Sequence, residues 1–177
     1  MDTTTTPARS PEVIAPGSGH HLHFLNHLAT VKVSAGELGA MSAIEFTAPR
    51  GFGPPLHRHR DEDELFVMLD GRIDCTAGAR RLTAEEGAVV MLPSGVPHTF
   101  QVLSDTARFI CVTASRTAAP TFDRMVVALG VATDVPTIPT AAYIDAAHVA
   151  DVCAAHGIDV VGPPPAALPA EPVGEVR

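Results

Sequence analysis

Between residues 40 and 113 the chain never runs far before it meets a turn. Eight short segments of strand-like composition lie there: Ala40–Ala48, Leu56–His59, Glu64–Leu69, Arg72–Ala77, Arg80–Thr83, Ala88–Leu92, His98–Leu103 and Ala107–Thr113. They are divided by Pro49–Gly51, Pro54-Pro55, Asp70-Gly71, Ala77–Ala79, Glu86-Gly87, Pro93–Gly95 and Ser104–Asp105. Such close punctuation leaves no room for crossover helices and predicts an all-β sandwich or barrel. Asp70-Gly71 reads as a hairpin turn, because glycine takes the positive φ of a primed turn without steric cost. Upstream, His23, Phe24, Leu25, Leu28, Val31 and Val33 interleave with polar residues, which predicts further strands.

The pattern changes after Ser115. Residues 120–130 read as a short helix ended by Gly130, and 132–140 as a Pro-containing linker. Ala141 to His156 places Ile144, His148, Val149, Val152 and Cys153 at helical spacing, closed by Gly157. Ile158 to Val161 can form a last extended piece. The expected organisation of the 177 residues is a flexible N-terminal arm (1–19), a β-barrel (20–115), a helical extension packing on it (116–161) and a Pro-rich tail (162–177).

Charge and composition narrow the partners. A net charge of −8 and a pI near 5.5 argue against nucleic-acid or anionic-membrane surfaces. Cys75, Cys111 and Cys153 are odd in number and lack CxxC spacing, so they read as buried free thiols in a reducing compartment. No apolar run approaches the ~18 residues of a membrane span, and the Thr/Pro-rich start lacks the apolar core of a signal peptide. A soluble, cytoplasmic protein is expected.

The chemistry concentrates in two stretches. In Gly51–Gly71, His57 and His59 stand two residues apart, so an extended chain turns both to one face. Glu64 follows an acidic run, and His98 closes a second turn-rich stretch, Gly87 to Val102. Three imidazoles and a carboxylate form a ligand set for one divalent transition metal ion, among Fe, Ni, Mn, Co, Cu and Zn. A lone His-x-His is more often a surface or core feature. Asp61, Glu62 and Asp63 read as a solvated acidic turn, although Glu62 or Asp63 could compete with Glu64 for the metal. Glu64 is preferred because it opens the apolar strand. If it faces inward, period two also turns Phe66 and Met68 inward, while Phe100 and Val102 share the face of His98; these four are the candidate substrate pocket. The histidines at 20, 21, 23 and 27 are assigned to strands, and His148 and His156 to helix surfaces.

These stretches resemble the two motifs of the cupin superfamily. Gly51, His57, His59, Glu64 and Gly71 satisfy Gly-x5-His-x-His-x4-Glu-x6-Gly. Gly87, Pro93, Gly95 and His98 satisfy the second, in which Val102 replaces the motif Asn. The resemblance implies a double-stranded β-helix (jelly-roll barrel) with short C-terminal helices, holding its metal through His57, His59, Glu64 and His98. Gly51-Phe-Gly-Pro-Pro-Leu-His-Arg-His, Asp63-Glu-Leu-Phe-Val, Ala107-Arg-Phe and His156-Gly-Ile-Asp-Val-Val-Gly-Pro-Pro are further similar to single-domain cupins of the quercetin 2,3-dioxygenase type. That likeness implies a dioxygenase acting on a flavonol-like or other aromatic enol, with dioxygen as co-substrate, Glu64 as catalytic base and a homodimeric assembly. A metal-dependent isomerase or polyketide-cyclase-like enzyme is the alternative, and a non-catalytic small-molecule-binding cupin is a third reading.

Overall fold

The computed structural model describes residues 11–38, 40–115, 117 and 119–169. The expected arm up to Ser10 and the end of the tail, 170–177, lie outside them. In chain order the elements are β1 (His20–Phe24), β2 (His27–Val33), α1 (Ala35–Leu38), β3 (Met41–Pro49), β4 (His57–His59), β5 (Glu62–Asp70), β6 (Arg72–Ala77), β7 (Arg80–Glu85), β8 (Val89–Leu92), β9 (His98–Val102), β10 (Thr106–Ser115), α2 (Phe122–Leu129), β11 (Val131–Ala132), α3 (Ala146–Ala155) and β12 (Ile158–Val160). All eight strands expected between residues 40 and 113 form, with ends shifted by a residue or two.

Two antiparallel sheets face each other, ordered β11-β1-β2-β3-β10-β5-β8 and β12-β4-β9-β6-β7. From β3 to β10 the chain changes sheet at every step except β6 to β7, which is the winding of a jelly roll. Side chains alternate inward and outward along β3 and β5, so Ile44, Phe46, Phe66 and Met68 meet Ile73, Phe100 and Val102 of the facing sheet.

That winding corrects the reading of Asp70-Gly71 as a hairpin. The strands on either side of it never pair: β5 bonds β10 and β8, while β6 bonds β9 and β7. Gly71 does take a positive φ of 77°, but at a corner between sheets. A Cβ there would lie 2.3 Å from the Thr106 carbonyl, so close approach to β10 excludes any larger residue. The true two-residue turns are Gly78-Ala79, between β6 and β7, and Leu25-Asn26, between β1 and β2 with φ of 46° and 68°.

The C-terminal elements close one end of the barrel. Helix α2 buries Phe122, Met125 and Val126. Asp145 caps α3 by accepting from the Ala147 and His148 amides, and the helix buries Val149 and Cys153. Val131–Ala132 pairs with β1 rather than starting the linker. No helix among the described residues is long and apolar enough to cross a membrane.

Candidate metal centre

Three strands bring the predicted ligands together. His57 and His59 begin and end β4, Glu64 is the third residue of β5, and His98 opens β9. His57 and His98 are directly paired across β4 and β9, with ring centroids 4.4 Å apart. Glu64 reaches them from the opposite sheet. The corner Pro93–Pro97 sets the approach of β9: Gly95, at φ 77°, donates its amide to the His59 carbonyl at 2.7 Å. Each of the four residues offers one ligand atom, and these atoms all lie within 4.8 Å of one another. His59, Glu64 and His98 are buried and His57 is partly exposed, so the cluster has one open side.

The ring orientations fit a metal. His57 Nδ1 lies 2.8 Å from the Pro55 carbonyl and His98 Nδ1 2.9 Å from that of Val96. A carbonyl only accepts, so both Nδ1 atoms carry the proton and both Nε2 atoms face the cluster. His59 is buried, and among the described residues neither of its nitrogens has a hydrogen-bond partner. Its Nε2 lies 3.9 Å from Glu64 Oε2 and its Nδ1 3.8 Å from Glu62 Oε2. An orphaned imidazole nitrogen in a sealed site costs free energy unless a cation satisfies it. The donor set of three Nε2 atoms and one carboxylate can therefore hold a divalent ion.

Electrostatics agree. Burial alone would raise the Glu64 carboxyl, but His59, His98 and His57 hold it well below the usual carboxylate range. Its Oε2 accepts from His98 Nε2 at 2.9 Å, and its Oε1 accepts from the Cys111 thiol at 3.0 Å. His57 is pushed down to about 4 by burial and by His98 beside it. His98 is raised despite its burial, because of its bond to Glu64. Metal-free, Glu64 and His98 thus form an ion pair in which a proton occupies the place a cation can take.

Glu62 corrects the reading of a solvated acidic turn. It is the first residue of β5 and only 6% exposed. Its Oε1 accepts from the Thr121 amide at 2.6 Å and from the Thr121 hydroxyl at 3.0 Å. Asp63 accepts from the Ser94 amide at 2.9 Å, which ties β5 to the Pro93–Pro97 corner. Neither carboxylate belongs to the ligand cluster. A period-two reading from Glu64 back to Glu62 carried this signal, since both must face inward.

The other candidates divide. Phe66 and Phe100 line an apolar cavity that also borders His57 and Glu64. Met68 and Val102 are buried in the core and are not among its lining residues. Val102, at the motif Asn position, is held instead through its backbone, by bonds with Gly51 and Phe52. Phe24, Phe46, Phe52, Phe109, Phe122 and His27 complete much of the wall. About 70 Å³ of this cavity is open to the centres of water molecules. Neither His148 nor His156 touches the cluster; His156 Nδ1 bonds the Val152 carbonyl at the end of α3.

Sequence reasoning missed the support that β12 gives. Ile158, Asp159 and Val160 pair with His59, Arg58 and His57. Asp159 accepts from Arg58 at 3.0 Å and from Arg60 at 2.5 Å, clamping the arginines on either side of His59. The signal was Ile158-Asp-Val beside Arg58-His-Arg: a three-residue edge strand with opposite charges in register.

Comparison with known proteins identifies a domain within the chain. The family described as "Cupin domain" matches residues 44–113, the span that contains all four ligands. That stretch of the chain matches a cupin domain. It is 27% identical over 106 residues to quercetin 2,3-dioxygenase of Bacillus subtilis (strain 168), covering 59% of this chain and 32% of that one. The chain thus spans about a third of the length of this curated relative. A Thermotoga maritima structure described as a predicted oxalate decarboxylase superposes with a TM-score of 0.55 at 18% identity, covering 59% of this chain and 99% of that chain. That likeness shows the fold.

Proposed function

We propose that this cupin is a metal-dependent dioxygenase of the quercetinase type, acting on a flavonol-like or other aromatic enol. The observation that carries this reading is the placement of the cluster: its partly exposed ligand, His57, and its carboxylate, Glu64, both border an aromatic-walled cavity. The likeness to quercetin 2,3-dioxygenase supports the same substrate class.

His57, His59 and His98 through Nε2, together with Glu64, would hold one divalent transition ion. When bound, such an ion lowers the pKa of a coordinated hydroxyl and offers an open position to the substrate. The surrounding residues do the rest. Phe66 and Phe100 hold the aromatic body of the substrate and exclude water from the cluster. Glu64 accepts the enol proton at Oε2, the oxygen that His98 otherwise occupies. Cys111 donates to Oε1 and keeps the carboxylate plane in place. The deprotonated enol is then oxidised and cleaved by dioxygen. Leu25, Phe52 and Val160, the partly buried apolar residues that line the cavity and pack against the core, border its less enclosed side.

The test is anaerobic mixing of flavonols with protein loaded in turn with Fe, Ni, Co, Mn and Cu, followed by admission of oxygen. A shift of the flavonol absorption band and then oxygen consumption are expected. Neither change with any metal would end the dioxygenase reading, and conversion without oxygen would point to an isomerase or cyclase.

A further inference from the structure

One polar side chain in the cavity belongs to no part of the metal cluster. His27 opens β2 immediately after the left-handed turn Leu25-Asn26. It is 4% exposed and enclosed by aromatic rings, with centroids 4.2 Å from Phe52, 5.1 Å from Phe24 and 5.1 Å from Phe46. Its place among them is costly, since a phenyl ring would pack there without a polar atom to satisfy. Its Nδ1 lies 3.4 Å from the Leu25 carbonyl, which only accepts, so Nδ1 carries the proton and Nε2 presents a lone pair. Among the described residues Nε2 has no hydrogen-bond partner, yet it is not among the polar atoms sealed from solvent. Burial pushes the ring down to about 3, so it stays neutral through the physiological range.

Among the described residues His27 makes no ring contact with His57, His59 or His98, and successive ring contacts join it to the cluster. Centroid steps of 5.4, 6.2 and 5.1 Å lead from His59 through Phe122 and Phe46 to His27. Both His27 and the ligands His57 and Glu64 border the one cavity. An acceptor thus stands in an apolar wall of the cavity, out of ring contact with the ligand histidines.

We propose that His27 determines specificity at the end of the substrate remote from the metal cluster, its Nε2 accepting a hydrogen bond from a phenolic hydroxyl on a ring seated against Phe46 and Phe52. This rests on the reading of the cavity as an aromatic enol site, and it names the substrate class more closely. The substrate carries an enol at one end and a phenol at the other. Because a buried acceptor left unpaired is penalised, the same molecule without its distal hydroxyl binds less well.

The experiment compares two probes on metal-loaded protein, a flavonol with hydroxyls on its pendant phenyl ring and the same flavonol without them. Affinities are measured without oxygen by titration of the flavonol absorption band. Wild type should favour the hydroxylated probe by about tenfold. His27→Phe should bind both alike, with unchanged metal content and circular dichroism, and His27→Gln, which restores an acceptor, should recover part of the preference. Equal affinities in wild type, or an undiminished preference in His27→Phe, would overturn the role of His27 while leaving the aromatic-enol reading in place. Failure of both probes to bind wild type at all would overturn both.

Discussion

Replacing Glu62 by alanine removes the acceptor that joins strand β5 to the start of helix α2. The Thr121 amide donates to it at 2.6 Å, and the Thr121 hydroxyl lies 3.0 Å away but also 2.5 Å from the His156 carbonyl. One hydroxyl proton cannot serve both oxygens, so in Glu62→Ala the hydroxyl keeps His156 and only the amide is stranded. A hydrogen bond to a charged group contributes about 1.5–3 kcal/mol. Removing a buried carboxylate also relieves its desolvation, which offsets part of that loss. The net expectation is about 2 kcal/mol of destabilisation, measured by urea unfolding of the metal-free protein near neutral pH. Glu62→Gln keeps an oxygen acceptor and should lose about half as much. Because Glu62 Oε2 lies 3.8 Å from His59 Nδ1, both variants should also weaken metal binding by about 10–100-fold. A loss below about 0.5 kcal/mol in Glu62→Ala, within the range of ordinary surface changes, would refute the assignment of Glu62 as a buried tie.

Two further outcomes concern pH and backbone. His27 and His57 are depressed to about 3 and about 4, below the 6.5 of an ordinary imidazole. Their contribution is intact above pH 6.5 and is lost as pH falls toward those lower values, at about 1.4 kcal/mol per pH unit per group. His98, raised by Glu64, works in the opposite direction. His27→Phe should therefore gain about 2 kcal/mol on wild type between pH 7.5 and pH 5 in urea unfolding of metal-free protein; a constant difference would show that His27 is not buried and neutral. At Gly53 an added Cβ would lie 2.1 Å from the Phe100 carbonyl, whereas at Gly51, with φ of 80°, it would meet nothing within 4 Å. Gly53→Ala should cost about 3 kcal/mol or more by forcing backbone apart, and Gly51→Ala about 1–2 kcal/mol of left-handed strain. Thermal unfolding that ranks them the other way would contradict the tight crossing of Phe52 over β9.

The jelly roll and the cluster of four candidate ligands were legible because their signals are local. Pro and Gly punctuation set the ends of β3 to β10, and period two placed His57 with His59 and Glu64 with Phe66. What stayed hidden depends on which strand lies beside which. A positive φ at Gly71 serves a hairpin and a corner between sheets equally well, so composition alone could not separate them. Met68 and Val102 share an inward face with Glu64 and His98, but period two gives direction and not depth, and they lie in the packed core rather than the cavity. The role of Glu62 needed Thr121, 59 residues away, and that of Asp159 needed Arg58 and Arg60, about a hundred residues upstream. His27 stood in a run of histidines whose members look alike in sequence; only the fold turns this one into an aromatic pocket while His20 and His21 stay nearer the surface.

The central claim is that His57, His59, Glu64 and His98 form one metal site. Its most direct test is elemental analysis of purified protein after loading with each of Fe, Ni, Mn, Co, Cu and Zn and extensive dialysis, beside His57→Ala and His98→Ala treated in the same way. The expected result is about one ion per chain in wild type for at least one metal, and little in either variant. Wild type that retains no more metal than the two variants would contradict it.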